Sequence, residues 1–202
     1  MPASLVFYFD FISPYGYFAS REVEALAARH GREVDWRCML LGVSVMKVMG
    51  LKPLLETPLK GDYVRRDVDR RIRRAGRALK RGPADPVMDP RACGRAFWWV
   101  KTHRPALAGA FAREVYEAYW REGLDLSSPT AVVSITLPPG IEAGWLLTGI
   151  ESDEARSLLR ENVDASLKAG VFGSPTLVVD GEPFWGVDAM PQAEEWLAGG
   201  GW

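Results

Sequence analysis

Leu5-Val6-Phe7-Tyr8-Phe9-Asp10-Phe11-Ile12-Ser13-Pro14-Tyr15-Gly16 is the stretch on which the fold turns. Ser4 to Asp10 reads as a strand, because Leu5 to Phe9 is an unbroken β-prone apolar run of the kind that is covered on both faces. A helix follows. Ser13 is an N-cap residue, Pro14 brings its fixed φ to the first helical position, Ala19, Val23, Leu26 and Ala27 form an apolar stripe, and Gly31 ends it. Glu33 to Cys38, where Val34 and Trp36 alternate with charges, reads as a second strand. The chain opens strand, helix, strand.

Signals of similar density return at the other end. Thr176 to Val179 is a β-branched run, Asp180-Gly181 is a hairpin turn, Pro183 to Trp185 comes back as a short strand, and Asp188 to Leu197 reads as a helix. From Met39 to Ala169 almost every periodic segment is helical, including Asp62 to Lys80, Ala106 to Arg121 and Ser152 to Leu167. There is no internal repeat and no low-complexity linker. The pattern predicts an α/β fold in which one sheet domain, split between residues 1–38 and 170–202, carries an all-helical insertion over 39–169.

Composition narrows the function. The 202 residues hold 25 Lys+Arg against 26 Asp+Glu, a net charge of -1, and 48% are hydrophobic. A chain of this size buries roughly 70% of its extended surface on folding, so no disulfide or metal staple is needed. Near-neutral charge and a high apolar content argue against a disordered chain or a nucleic-acid coat. The N-terminus lacks a basic n-region and places Asp10 inside its only apolar run, so the cytoplasm is expected and not secretion. The apolar stretch from Cys38 to Leu51 is broken by Lys47 and falls short of the roughly 20 residues of a membrane span. Cys38 and Cys93 belong to no C-x-x-C pair, and only His30 and His103 could join them as soft ligands; buried reduced thiols and no metal site are expected. Lys60 to Gly82 holds ten Lys/Arg and three Asp, a local charge of +7. Val64, Val68, Ile72, Ala75 and Leu79 form one apolar stripe there, and Asp62, Asp67 and Asp69 each have an Arg four residues later. The segment is either a solvated amphipathic helix or a positive rim that draws an anionic substrate toward a cleft. Nucleic-acid binding is disfavoured because no aromatics interleave with the basic residues.

The chemistry gathers where the first strand meets the first helix. Ser13-Pro14-Tyr15-Gly16 occupies a helix N-terminus, where unsatisfied N–H groups and the macrodipole favour an anion such as a thiolate. Val171-Phe172-Gly173-Ser174-Pro175-Thr176 puts a proline immediately before a strand, a place where its peptide bond can be cis. Each alone has a plain structural reading, a capped helix and a strand-entry proline. Together they resemble the thioredoxin fold in its DsbA-like, helix-inserted branch, where a C-P-x-C tetrapeptide caps the first helix and faces a cis-proline loop. Here Ser13 and Gly16 stand in place of both cysteines. The stretches FYFDFISPYGYFA, AYWREGLDL and GVFGSPTLVVDGEPFWGVD further resemble the 2-hydroxychromene-2-carboxylate isomerase family and its relatives, the kappa-class glutathione transferases.

The resemblance implies glutathione as cofactor and an aromatic carboxylate as substrate. Dithiol exchange needs an attacking thiolate and a resolving thiol, so a Ser/Gly tetrapeptide rules it out. A serine hydroxyl can instead donate to the thiolate of bound glutathione and lower its pKa, which makes Ser13 the catalytic residue, with Pro14 and Tyr15 beside it in the glutathione site. By the same resemblance Ser174 offers backbone groups to the cysteinyl unit, aided by a cis Pro175. Trp185, Gly186, Val187 and Asp188 hold the γ-glutamyl end, with N–H groups at the start of the last helix for its carboxylate and Asp188 as partner of the ammonium or, as a plain structural alternative, a helix N-cap. Lys47 and Lys60 are candidate contacts for a substrate carboxylate, or surface lysines. Two positions depart from the family pattern: Leu51 stands where an asparagine is common, and Gly16 where a serine is common. The reading is a glutathione-dependent isomerase, working as a homodimer by family analogy. The alternatives are a kappa-like glutathione transferase on the same scaffold and a non-catalytic glutathione- or peptide-binding module.

Overall fold

The computed structural model describes residues 5–76 and 78–202; Ser4, at the expected start of the first strand, and Arg77, inside the expected basic helix, lie outside them. β1 (Leu5–Phe9), α1 (Pro14–Ser20), α2 (Val23–Arg29) and β2 (Val34–Cys38) open the chain, so the single helix expected between the strands is two. The break has a local cause. Ser20 Oγ donates to Tyr17 O at 2.7 Å, a back-bond that bends helices, and the N–H groups of Arg21 and Glu22 reach carbonyls only three residues back.

β3 (Thr176–Val179) and β4 (Glu182–Trp185) complete a four-stranded sheet in the order β2-β1-β3-β4. β2 runs parallel to β1 with Trp36 opposite Phe7, which requires the α1–α2 crossover. β3 runs antiparallel to β1, placing Thr176 opposite Tyr8, and β4 returns antiparallel to β3. β1 is therefore central and buried on both faces, as its unbroken apolar run requires. The free edge of β2 is covered by α4 (Arg91–His103): Lys101 Nζ donates to Trp36 O and Trp98 Nε1 to Cys38 O.

Between β2 and β3 the chain is helical. A π-helical turn spans Gly42–Val48; α3 (Lys60–Arg74), α4 and α5 (Ala108–Tyr116) follow, α5 running into a second π-helical turn at Glu117–Arg121; then come α6 (Pro129–Val133), α7 (Ala143–Glu151) and α8 (Asp153–Lys168). α3 is shorter than the expected Asp62–Lys80 helix, because Gly76 adopts φ 62° just past its end. Its stripe is correspondingly shorter: Val64 and Val68 are buried, Ile72 is half-buried and Ala75 is exposed. Of the three expected four-residue ion pairs, only Asp67–Arg71 appears among the described residues, and Asp62 pairs instead with Arg65. The last helix, α9 (Met190–Gly199), begins two residues later than read, after a 3-10 turn at Val187–Ala189. One aromatic core joins the helices to the sheet, with Phe9 edge-on to Phe97 of α4 at 5.1 Å and Phe11 against Tyr116 of α5 at 5.2 Å. Cys38 and Cys93 are both free and buried, and burial pushes both thiols well above their ordinary pKa.

Candidate active site

Ser13 caps α1 in extended conformation, its Oγ accepting the Gly16 N–H at 3.0 Å. The same hydroxyl donates to Ser174 O at 2.8 Å, so residues 161 apart in sequence are in direct contact and Ser13 is 3% exposed. Ser174–Pro175 is a cis peptide bond. Ser174 Oγ accepts the Asp10 N–H at 2.9 Å, and Pro175 O accepts the Gly186 N–H at 2.9 Å. The expected partners of Ser13 are thus assembled: the end of β1, the start of α1 and the loop before β3 are locked together by hydrogen bonds. Pro14 has no N–H and the Gly16 N–H is taken, which leaves the Tyr15 N–H as a first-turn donor with no acceptor among the described residues.

A layer that the sequence did not announce supports this contact. Tyr116 Oη donates to Asp10 O at 3.0 Å, and Trp120 Nε1 donates to Phe11 O at 3.0 Å. The Asp10 carboxylate is fully buried and accepts the N–H groups of Leu41 at 2.7 Å and Ile12 at 3.2 Å. Burial pushes its pKa up to about 7 against the pull of those backbone N–H groups. Gly16 is required by packing. A Cβ there would lie 2.5 Å from Tyr116 Oη and 2.9 Å from Ser174 Oγ, so the serine common at this position in the family has no room.

The remaining site candidates divide. Tyr15 Oη donates to Asp67 Oδ2 of α3 at 3.0 Å, and burial followed by that bond raises its pKa. Burial alone would raise the Asp67 pKa as well, but the hydrogen bonds from Arg71, Arg70 and Tyr15 hold it below the usual carboxylate range. Trp185 is exposed and packs against Phe172 with the rings tilted to one another, centroids 4.9 Å apart. Gly186 turns the chain at φ 95°, a conformation open to glycine, and delivers Val187 and Asp188 into the 3-10 turn. Asp188 does not cap α9, whose cap position is Ala189; the N-cap alternative is corrected, because the intervening 3-10 turn moves the helix start downstream. Its carboxylate pairs with Arg71 at 2.6 Å and is 84% exposed. Lys47 and Lys60 are exposed, and among the described residues no hydrogen bond or ion pair ties either to the Ser13 contact.

A family model for DSBA-like thioredoxin domains matches residues 4–198. The chain belongs to that family. Within it, the chain is similar to a 2-hydroxychromene-2-carboxylate isomerase of Pseudomonas putida, 29% identical over 91% of this chain and 89% of that protein. It is also similar to glutathione S-transferase kappa 1 of Rattus norvegicus, 25% identical over 94% of this chain and 88% of that one. A solved 2-hydroxychromene-2-carboxylate isomerase superposes with a TM-score of 0.79 at 25% identity, covering 97% of this chain and 95% of the other. The thioredoxin-like fold with a helical insertion, read from the two ends of the chain, is therefore the fold of this family member.

Asp10, Tyr116, Asp67 and Arg71 support the candidate residues through hydrogen bonds, and sequence reading did not assign them. Asp10 left a trace, a lone carboxylate at the end of a strand that is otherwise apolar. Asp67 and Arg71 were visible only as a helix-stabilising pair. Tyr116 gave no signal, since its hydroxyl acts across more than a hundred residues. Among the described residues no group of His, Cys, Asp and Glu suits a metal ion, and no helix is long and apolar enough to cross a membrane.

Proposed function

We propose that the protein is a glutathione-dependent isomerase of an aromatic carboxylate of the 2-hydroxychromene-2-carboxylate type, with Ser13 as its catalytic residue. The observation that carries this reading is the Ser13 Oγ to Ser174 O contact at a site without a thiol of its own: serine replaces the attacking cysteine, glycine the resolving one, and both cysteines of the chain are buried. The residues present fit glutathione. The free Tyr15 N–H and the Ser13 hydroxyl are two donors for a thiolate at the first turn of α1. The Ser13 hydrogen now rests on Ser174 O, so Ser13 turns it toward the sulfur only when another donor takes its place there. The N–H of a cysteinyl unit lying along residue 174 is such a donor, which couples binding of the peptide to release of the hydroxyl. Val187 and Asp188, held out by the turn at Gly186, face the γ-glutamyl end.

Bound glutathione would supply a thiolate that adds reversibly to the conjugated substrate, turns a double bond into a rotatable single bond and is expelled again with the geometry changed. Ser13 and Tyr15 hold the negative charge on sulfur before addition and after expulsion, so no redox change or net consumption of thiol is required. Lys47 and Lys60 are proposed contacts for the substrate carboxylate. The same reading makes the protein a cytoplasmic homodimer with no nucleic-acid partner. Similarity to the rat kappa-class enzyme favours a second reading, in which conjugation to glutathione is the product-forming step. Incubation with glutathione and a 2-hydroxychromene-2-carboxylate, then with a chloronitroaromatic, separates the two. Isomerisation without loss of free thiol supports the first reading, stoichiometric thiol loss the second, and neither with either substrate refutes both.

A further inference from the structure

We propose that Arg71 of α3 is a specificity-determining residue that reads the α-carboxylate of a γ-glutamyl group while Asp188 beside it reads the ammonium. This rests on the glutathione reading above and extends it to the helical insertion, which that reading left out of the glutamyl site. Arg71 Nε donates to Asp67 Oδ2 at 2.8 Å and Nη2 to Asp188 Oδ1 at 2.6 Å, while Nη1 has no acceptor among the described residues. Asp188 Oδ2 likewise has no donor there. The ion pair therefore carries, side by side, one spare donor nitrogen on a cation and one spare acceptor oxygen on an anion. A free α-amino acid head presents the complement, a carboxylate and an ammonium on one carbon. A lone amine or a lone carboxylate would satisfy only half of it.

The positions of the two groups agree with this role. Arg71 is held on two further sides, by Asp67 and by the Tyr15 ring, whose centroid lies 5.5 Å from the guanidinium carbon, so the fork is already oriented before any ligand arrives. Tyr15 belongs to the tetrapeptide that starts at Ser13, which places Arg71 between the thiol end and the glutamyl end of the proposed ligand. Asp188 is exposed, and an exposed ion pair is weakly held, so a ligand can insert at its open side. Within the ion-pair cluster two cations meet two anions, Arg70 and Arg71 on Asp67 and Arg71 on Asp188, and a zwitterion leaves that count unchanged. A plain surface ion pair tying α3 to the chain after β4 would stabilise the fold but would not distinguish one ligand from another.

Calorimetric titration of the full chain with three probes separates these outcomes: glutathione, its 4-aminobutyryl analogue that lacks the α-carboxylate, and its glutaryl analogue that lacks the amine. The wild type should bind each analogue about tenfold more weakly than glutathione, as expected for the loss of one charge-assisted contact. Arg71→Gln should bind glutathione about tenfold more weakly and no longer distinguish it from the aminobutyryl analogue, while still disfavouring the glutaryl one. Asp188→Asn should show the reverse pattern. Arg70→Gln, which also loosens Asp67, should keep the wild-type pattern within about twofold. Arg71→Gln discriminating against the aminobutyryl analogue as strongly as the wild type, or Arg70→Gln reproducing its loss, overturns the role of Arg71 and leaves glutathione binding intact. Absence of wild-type binding to millimolar glutathione refutes the glutathione reading itself, and the role of Arg71 with it.

Discussion

Gly16→Ala should destabilise the protein although alanine is the better helix former. In an open helix the exchange gains about 1 kcal/mol. Here the new methyl carbon would sit 2.5 Å from Tyr116 Oη, 2.9 Å from Ser174 Oγ and 3.2 Å from Ser13 Cβ. None of these atoms is free to yield. Tyr116 is fully buried and donates to Asp10 O at 3.0 Å, and Ser174 Oγ accepts the Asp10 N–H at 2.9 Å. Overpacking of this kind costs about 1–3 kcal/mol, and displacing the Tyr116 hydroxyl from Asp10 O adds about 1 kcal/mol. Set against the propensity gain, the net loss is about 2 kcal/mol. Tyr116→Phe alone should cost about 1 kcal/mol, since Asp10 O keeps the Ser13 N–H as a donor. In the double variant the methyl occupies the space of the missing hydroxyl, so the two losses should fall short of their sum by at least about 1 kcal/mol. Urea unfolding of the four proteins measures all the terms. A neutral or stabilising Gly16→Ala, or strict additivity in the cycle, would refute the packing argument. The same crowding explains why Ser13→Cys combined with Gly16→Cys should not yield a working dithiol oxidoreductase: the second sulfur is larger than the methyl that already does not fit.

Three further outcomes follow from the site and the sheet edge. Because burial raises the Asp10 pKa to about 7 while the unfolded chain gives up that proton near pH 4, the folded state holds the extra proton between the two values, and stability should fall by up to about 4 kcal/mol as pH rises from about 4 to about 7 and then level off; unfolding midpoints that rise through this window would contradict it, and Asp10→Asn should remove the slope. Ser13→Ala should raise the pH optimum of turnover and slow it by the loss of one charge-assisted hydrogen bond of about 1.5–3 kcal/mol, with the fold retained by circular dichroism; an unchanged pH-rate profile would remove Ser13 from the mechanism. Lys101→Met strips the cap from Trp36 O on the β2 edge and one partner from Asp35, and should lower stability by about 2 kcal/mol in thermal unfolding; a loss under about 0.5 kcal/mol would show the edge is closed by other means.

What the sequence determined by itself is what short-range pattern can carry. The apolar run of β1, the Ser13-Pro14 helix start, the Asp180-Gly181 turn and the proline before β3 are each set by the preferences of neighbouring residues, and all four are where the chain alone places them. Ser13 and Pro175, on which the proposed site rests, were legible for the same reason, since they lie at element boundaries whose chemistry is local. The tertiary structure decided everything that depends on which distant groups meet. The need for glycine at position 16 comes from a tyrosine hydroxyl that arrives from α5, whereas the split of the first helix is a local choice, Ser20 Oγ bonding the carbonyl three residues back, that apolar periodicity does not register. Asp188 reads as a cap or a ligand partner until α3 packs against it and supplies Arg71, 117 residues away in the chain. Propensity and periodicity act over a few residues. The partners of a buried or bridging polar group are fixed only when the core closes and water no longer competes for its hydrogen bonds.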